Sequence, residues 1–316
     1  MIYTYTDAQV GQAISWRDVL QDLPYAFEAL RTGDAAIQAR QRIDCGSYKL
    51  SGMGAVWESR KVAAYKTYTS VQGQFNFLLN LFDLATGEHH VMPAGEITRA
   101  RTAAMTTWVA RETVNPGAKK LALFGLGIQG RTHLEALQAT LNFQEIAVVD
   151  TADVASSCAL LAAQLGVEVY QTSPQVAVTG ADLVVTITRS KEPVFDGAWL
   201  KGGACVCAVG TSLPNGSEID ATTRLRSNRV IVEWKPQSLV EAGEIVQGLA
   251  DQSLDMERIA DLAQMLASKT PWRSAAKDVM LFKAVGVGLS DLVAARLAVQ
   301  RLHHPQKNST TSAAVG

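Results

Sequence analysis

The sequence predicts an α/β chain in two parts, a doubly wound parallel sheet in the second half and a smaller α+β domain ahead of it. Three observations carry this. From Leu121 onward, short β-rich runs alternate with helical stretches. Those runs are apolar on both faces, as a parallel sheet covered by helices on two sides requires. A turn signal, Asn115-Pro116-Gly117, separates this half from a stretch of different pattern. At roughly 150 residues per domain, the 316 residues allow two cores.

In chain order, residues 16–31 read as an amphipathic helix, 47–53, 62–68 and 75–84 as strands joined by Gly-containing turns, and 98–113 as a helix. Residues 1–114 are thus expected to form the first domain. Residues 115–278 carry strand-like runs at 121–124, 146–149, 167–170, 183–188, 204–209 and 229–234, with helical patterns at 128–141, 154–165 and 174–178. The pattern over 279–302 reads as one long helix with no strand after it, expected to pack back across the first domain. Residues 303–316 read as a frayed tail.

The chain has 29 Lys+Arg against 30 Asp+Glu, with 47% hydrophobic residues. That balance excludes a disordered chain and a nucleic-acid binder held by bulk positive charge. No run of eighteen apolar residues occurs and the start has no basic-then-apolar leader pattern, so no membrane partner and a cytoplasmic location are expected. Cys45, Cys158, Cys205 and Cys207 form no C-x-x-C pair, and His89, His90, His133, His303 and His304 have no partner at metal or triad spacing. No metal site is expected.

Gly125-Leu126-Gly127-Ile128-Gln129-Gly130 follows one strand and opens a helix, the context that makes G-x-G-x-x-G a dinucleotide fingerprint. Gly125 permits the tight turn, Gly127 lets backbone approach a pyrophosphate, and Gly130 lets the helix lie close on the strand. The pyrophosphate would sit on the free N–H groups of the helix start. Asp150 ends the next strand twenty residues after Gly130, where a carboxylate can accept from both ribose hydroxyls.

Outside the sheet, the segments 38–42 (QARQR), 64–68 (AYKTY) and 97–104 (ITRARTAA) stand in order around that fingerprint. So do 84–88 (LATGE), 208–210 (AVG), 241–244 (EAGE) and 281–286 (LFKAVG). Jointly, over nearly the whole chain, they resemble the ornithine cyclodeaminase/mu-crystallin family. The resemblance implies a Rossmann-type nucleotide domain at 115–278, a substrate-binding/dimerisation domain at 1–114 completed by the helix 279–302, and a homodimer. It also implies a nicotinamide cofactor and an amino-acid or imino-acid substrate. Lys66 matches the family's active-site lysine, and Arg101 with Thr102 matches its R-T-A-A segment beside substrate and cofactor. Arg40 falls where the family has an arginine for the substrate carboxylate. Arg42 is two residues on along the same strand face, and the sequence leaves the choice between them open. Ile128, Gln129, Thr151, Thr186, Thr188, Val209 and Gly210 complete the candidate cofactor-binding set.

One departure bears on the reaction. Cyclodeaminases of the family carry G-x-D-x-P-G-K where this chain has Gly210-Thr211-Ser212-Leu213-Pro214-Asn215-Gly216. A serine hydroxyl cannot by itself keep an attacking amine neutral, so Ser212, a candidate catalytic position, favours NAD(P)H-dependent reduction of cyclic α-imino acids such as 1-pyrroline-2-carboxylate or 1-piperideine-2-carboxylate. The alternatives are an ornithine or lysine cyclodeaminase that recycles its NAD, and a non-catalytic protein that holds NADPH and a small ligand. Asp150-Thr151-Ala152-Asp153 offers carboxylates and no arginine to a 2′-phosphate, so NADH is the expected cofactor and NADPH the second choice.

Overall fold

The computed structural model describes residues 1–71, 74–268 and 270–303. Within them the chain builds two sheets. The first has six strands: β1 (Ile2–Thr4), β2 (Ala35–Cys45), β3 (Tyr48–Trp57), β4 (Val62–Val71), β5 (Gln74–Asp83) and β6 (His89–Pro93), in the order β1-β6-β5-β4-β3-β2. All its pairings are antiparallel except that of β1 with β6. His89 and His90 lie on β6, and the His90 side chain is buried.

The helices around this sheet are α1 (Asp7–Ala13), α2 (Trp16–Thr32) and α3 (Gly95–Thr113). In α2, Val19, Leu20, Leu23, Ala26 and Phe27 recur at helical spacing and are buried. Ser15 caps the start by accepting from the Arg17 N–H, and Gly33 ends the helix at φ +83°.

The second sheet has eight strands: β7 (Lys120–Phe124), β8 (Glu145–Val149), β9 (Glu168–Gln171), β10 (Leu183–Thr186), β11 (Cys205–Ala208), β12 (Ser227–Val232), β13 (Ile259–Asp261) and β14 (Val279–Lys283). Its order is β13-β12-β14-β11-β10-β7-β8-β9 and every pairing is parallel. The strand order reverses between β7 and β10, and at such a switch point a crevice opens outside the carboxyl ends of the strands. Helices α4 (Ile128–Leu141), α5 (Ala155–Leu165), α6 (Pro174–Val178), α7 (Ala221–Arg226), α8 (Lys235–Glu241), α9 (Gly243–Ala250) and α10 (Leu262–Ala267) connect the strands. The last helix is α11 (Gly288–His303). Cys205 and Cys207 are buried on β11, without a disulfide.

One expectation is overturned. The stretch 279–302 is not a single helix, because Val279–Lys283 is strand β14, set between β11 and β12 in the second sheet. All five residues are buried, so the run has no polar face to mark its period, and a short apolar run reads equally as helix or strand. Gly286, at φ +79°, then breaks the chain before α11. That helix runs to His303, whose ring packs on Tyr3 and His90, so this residue is not part of a tail. Residues 304–316 of the expected tail, with His304, lie outside the described residues.

α11 packs on β3, β4, α2 and α3. From Gly288 to Arg296 every residue of it is buried, as expected of a helix apolar nearly all round. Its start presses so close to β3 that a Cβ on Gly288 would lie 2.4 Å from the Gly54 carbonyl oxygen.

Candidate active site

Lys66 on β4 pairs across the sheet with Met53 on one side and Leu79 on the other, and all three are buried on the face that α11 covers. A lysine at 1% exposure needs a counter-charge. It finds one in Asp291, in the first turn of α11, whose Oδ1 and Oδ2 lie 2.8 and 2.7 Å from Nζ. Nζ also lies 3.4 Å from the Thr98 hydroxyl and 5.6 Å from the centre of the Phe77 ring. Burial pulls the Lys66 ammonium down to about 7. Arg101 and Arg40 act in the same direction, and Asp291 opposes them.

Arg101 comes from α3 to the same carboxylate, its Nε donating to Asp291 Oδ1 at 3.1 Å. Its Nη1 and Nη2 hydrogen-bond to no described residue, although the side chain is only 7% exposed. The guanidinium rests on Gly286, where a Cβ would come within 2.7 Å of both terminal nitrogens. Arg101 therefore presents two free donors in a largely buried place, a fork suited to a carboxylate.

Arg40 and Arg42 form a second cluster. A bulge in β2 between Gln38 and Gln41 shifts the register, so that Arg42 pairs with Ser51 while Ile37 pairs with Ala55. The extra residue reverses the alternation and places both arginines toward the second sheet. Both reach Glu241 at the end of α8: Arg40 Nη1 lies 2.7 Å from Oε2, and Arg42 Nη1 donates to Oε1. Arg40 Nη2 also donates to the carbonyls of Val285 and Gly286 at 2.8 and 3.0 Å, and Arg42 Nη2 to that of Ser212 at 3.1 Å. Between these clusters, Glu233 Oε2 accepts from the Val285 and Gly286 N–H groups at 2.8 and 2.6 Å. Of the three arginines, only Arg101 points unpaired terminal nitrogens at the site.

The fingerprint has the geometry its residues imply. Gly125 has φ +94°, and a Cβ there would lie 2.7 Å from the Ile187 carbonyl oxygen. On Gly130 it would lie 1.9 Å from the Gly125 carbonyl oxygen. A Cβ on Gly127 would meet nothing within 4 Å, which leaves open the approach a pyrophosphate needs. Gly127 caps α4 without any side-chain hydrogen bond, and the Gln129 side-chain oxygen is buried with no partner among the described residues. An uncapped helix start, an open glycine and an orphaned acceptor together fit a dinucleotide.

Asp150 accepts from the Leu126 N–H at 2.7 Å through Oδ2 and from the Ala152 N–H at 3.0 Å through Oδ1. A second lone pair on each oxygen is left for ribose hydroxyls. Thr151 is exposed beside it, Ile128 is exposed at the start of α4, and the Thr102 hydroxyl donates to the Thr98 carbonyl at 2.6 Å. Thr186, Thr188 and Gly210 converge on the carboxylate of Glu218, a residue that no sequence motif singles out, and the Val209 N–H donates to the Thr186 carbonyl. His133, at 0% exposure, is pushed by burial down to about 4 and pins α4 to α3 through Thr106, a structural role. Among the described residues no cluster could hold a metal ion.

The sequence profile of the ornithine cyclodeaminase/mu-crystallin family matches residues 6–305. The chain belongs to that family. The ketimine reductase mu-crystallin of Mus musculus is 31% identical over 218 residues, which take in 69% of this chain and 66% of the mouse protein. The structure of a probable ornithine cyclodeaminase from Bordetella pertussis Tohama I superposes with a TM-score of 0.92 at 37% identity, covering 97% of this chain and 98% of that one. The Thermococcus litoralis Delta(1)-pyrroline-2-carboxylate reductase, solved in complex with NADH and L-proline, superposes with a TM-score of 0.89 at 25% identity, covering 96% and 98%. In this family member, the loop that carries Ser212 is tied to Arg42 by a backbone carbonyl, and the Ser212 side chain makes no hydrogen bond to a described residue.

Proposed function

We propose that the protein is an NADH-dependent reductase of cyclic α-imino acids, with 1-pyrroline-2-carboxylate and 1-piperideine-2-carboxylate as candidate substrates. The carrying observation is the convergence of Lys66 and Arg101 on Asp291 in a buried site. Family relatives named for ketimine and pyrroline-2-carboxylate reduction support it, as does the NADH complex of the Thermococcus protein.

In this reading the bound nicotinamide supplies the hydride. The free fork of Arg101 holds the substrate carboxylate, and the Lys66 ammonium holds or delivers the proton at the imine nitrogen. Asp291 keeps both cations at a fixed spacing. Phe77 beneath Nζ, with Phe75 stacked on it at 5.8 Å and Tyr68 tilted against it at 5.1 Å, gives an aromatic wall suited to a ring. Arg40 and Arg42 close the site through Glu241 rather than binding substrate first. Residues 1–114 with α11 would carry the substrate, and residues 115–278 with β14 the cofactor. A second copy would cover the outward face of the first sheet, where Ile43, Leu50, Val56, Leu78 and Phe82 are exposed. No described helix is long and apolar enough to cross a membrane, and we place the protein in the cytoplasm.

The test is spectroscopic. Loss of nicotinamide absorbance with a cyclic imine is expected, and ornithine should release no ammonia above background, because Ser212 and Gly216 stand where cyclodeaminases have an acid and a lysine. Ornithine turnover near one per second, an ordinary enzyme rate, would overturn the reading in favour of cyclisation. Tight cofactor binding with neither reaction would favour the non-catalytic alternative.

Acidity and cofactor choice provide two more checks. Below about pH 7 Lys66 carries its proton and above it does not, so kcat/KM for imine reduction should fall as pH rises through that value. The oxidative direction, which needs the neutral amine, should rise over the same range; a profile flat from about pH 6 to 9 would remove Lys66 from proton transfer. NADH should be preferred over NADPH by about tenfold in kcat/KM, a difference of about 1.4 kcal/mol. Arg131, just inside α4 with its Nη2 donating to Ser157 at 2.8 Å, is a cation that could receive a 2′-phosphate. Equal rates with the two cofactors would show that Asp150 does not select between them.

A further inference from the structure

We infer that Glu218 is a positioning residue for the cofactor, its carboxylate gathering the ends of β10 and β11 into one wall of the dinucleotide crevice. The inference rests on the reading of the protein as an NADH-dependent reductase.

Glu218 is fully buried, and four donors meet its two oxygens. Oε2 accepts from the Thr186 hydroxyl at 3.0 Å and the Gly210 N–H at 2.7 Å. Oε1 accepts from the Thr188 N–H and the Thr188 hydroxyl, both at 2.7 Å. Thr186 and Ala208 are register partners at the carboxyl ends of their strands, so one side chain holds the outgoing loops of both strands. The space is closed to anything larger: a Cβ on Gly210 would lie 2.2 Å from the Thr188 carbonyl oxygen and 2.4 Å from Glu218 Oε1.

The clasp abuts the fingerprint directly. A Cβ on Gly125 would meet the Ile187 carbonyl oxygen at 2.7 Å and the Thr188 side chain at 3.4 Å. Any movement of Thr188 therefore moves the crevice floor at the switch point, where a dinucleotide crosses the sheet. Behind the clasp, the Glu218 N–H donates to Glu244 at 3.2 Å, and Glu244 pairs with the buried Lys283 at 2.9 Å. Lys283 in turn donates to the Thr211 carbonyl at 2.7 Å. That pair anchors the loop after β11 to β14, while the Glu218 carboxylate is taken up by the end of β10 and the loops after β10 and β11. The imino-acid groups, Lys66, Arg101 and Asp291, make no hydrogen bond to it.

Glu218→Gln preserves size but turns an NH2 toward donors, so half of the acceptor capacity is lost. The experiment titrates NADH against wild-type and variant by protein-to-nicotinamide fluorescence, and measures KM for 1-pyrroline-2-carboxylate at saturating NADH. The expected result is a rise of at least about tenfold in the NADH dissociation constant, with the imine KM within about threefold of wild type. Thr188→Val should weaken NADH severalfold alone and add little in the Glu218→Gln background, the non-additivity of residues in one network. If Glu218→Gln melts below the assay temperature, Thr186→Val with Thr188→Val carries the same expectation. An unchanged NADH constant, or equal losses in cofactor and imine affinity, would overturn the inference alone. Absence of NADH binding by the wild-type protein would overturn the functional reading and this inference with it.

Discussion

Lys66→Met is expected to lower kcat/KM for imine reduction at least about a hundredfold while leaving the NADH dissociation constant nearly unchanged. Proton transfer by a placed side chain contributes about 10²–10⁴ to rate, and burial brings the Lys66 ammonium down to about 7. Methionine fills most of the lysine's volume, so the loss reports the missing ammonium rather than a cavity. Asp291 keeps its contact with Arg101 at 3.1 Å, so its charge is not left wholly unpaired. Steady-state rates with NADH fluorescence titration and a melting curve separate the possibilities. A fall below about threefold in a folded variant would remove Lys66 from the mechanism.

Arg101→Lys should damage catalysis nearly as much as Arg101→Ala, each by about a hundredfold in kcat/KM, with most of the effect in KM. Arg101 uses one nitrogen for Asp291 and offers two others in the same plane, so it holds the internal carboxylate and a substrate carboxylate at once. An ammonium has no such fork and would settle on Asp291. Hydrogen bonds to a charged partner are worth about 1.5–3 kcal/mol each, and losing two is ample for that fall. Full activity of the lysine variant would show that only local positive charge matters there.

The second half of the molecule was largely legible in sequence because its signals are local. Strands apolar on both faces, helices between them and three glycines after the first strand are each set by neighbours within a few residues. The same locality explains the failure at 279–302. Val279–Lys283 is a central strand only because β11 and β12 pair with its two edges, and no short window holds that information. Asp291 was missed for a related reason, since a single acid in a helical stretch reads as a solvated residue unless its neighbours are seen to be buried. The signal was present in Gly288-Leu289-Ser290-Asp291-Leu292-Val293-Ala294-Ala295, where one carboxylate sits in an otherwise uncharged run.

The sequence alone determined the nucleotide fold, the position of the glycine turn after β7 and the family, because these depend on glycine conformation, apolar periodicity and the order of short motifs. It also named Lys66 and Arg101. Only the tertiary structure brings them together at one carboxylate. Asp291 lies 225 residues from Lys66 and 190 from Arg101 in sequence, and only the packing of α11 on β4 and α3 brings it to both. Arg40 and Arg42 likewise meet only in space: a bulge reverses the strand alternation ahead of them and both pair with Glu241, whereas the terminal nitrogens of Arg101 hydrogen-bond to no described residue. Pairing between buried charges depends on distance through the fold, at which a carboxylate far along the chain outweighs any neighbour in sequence.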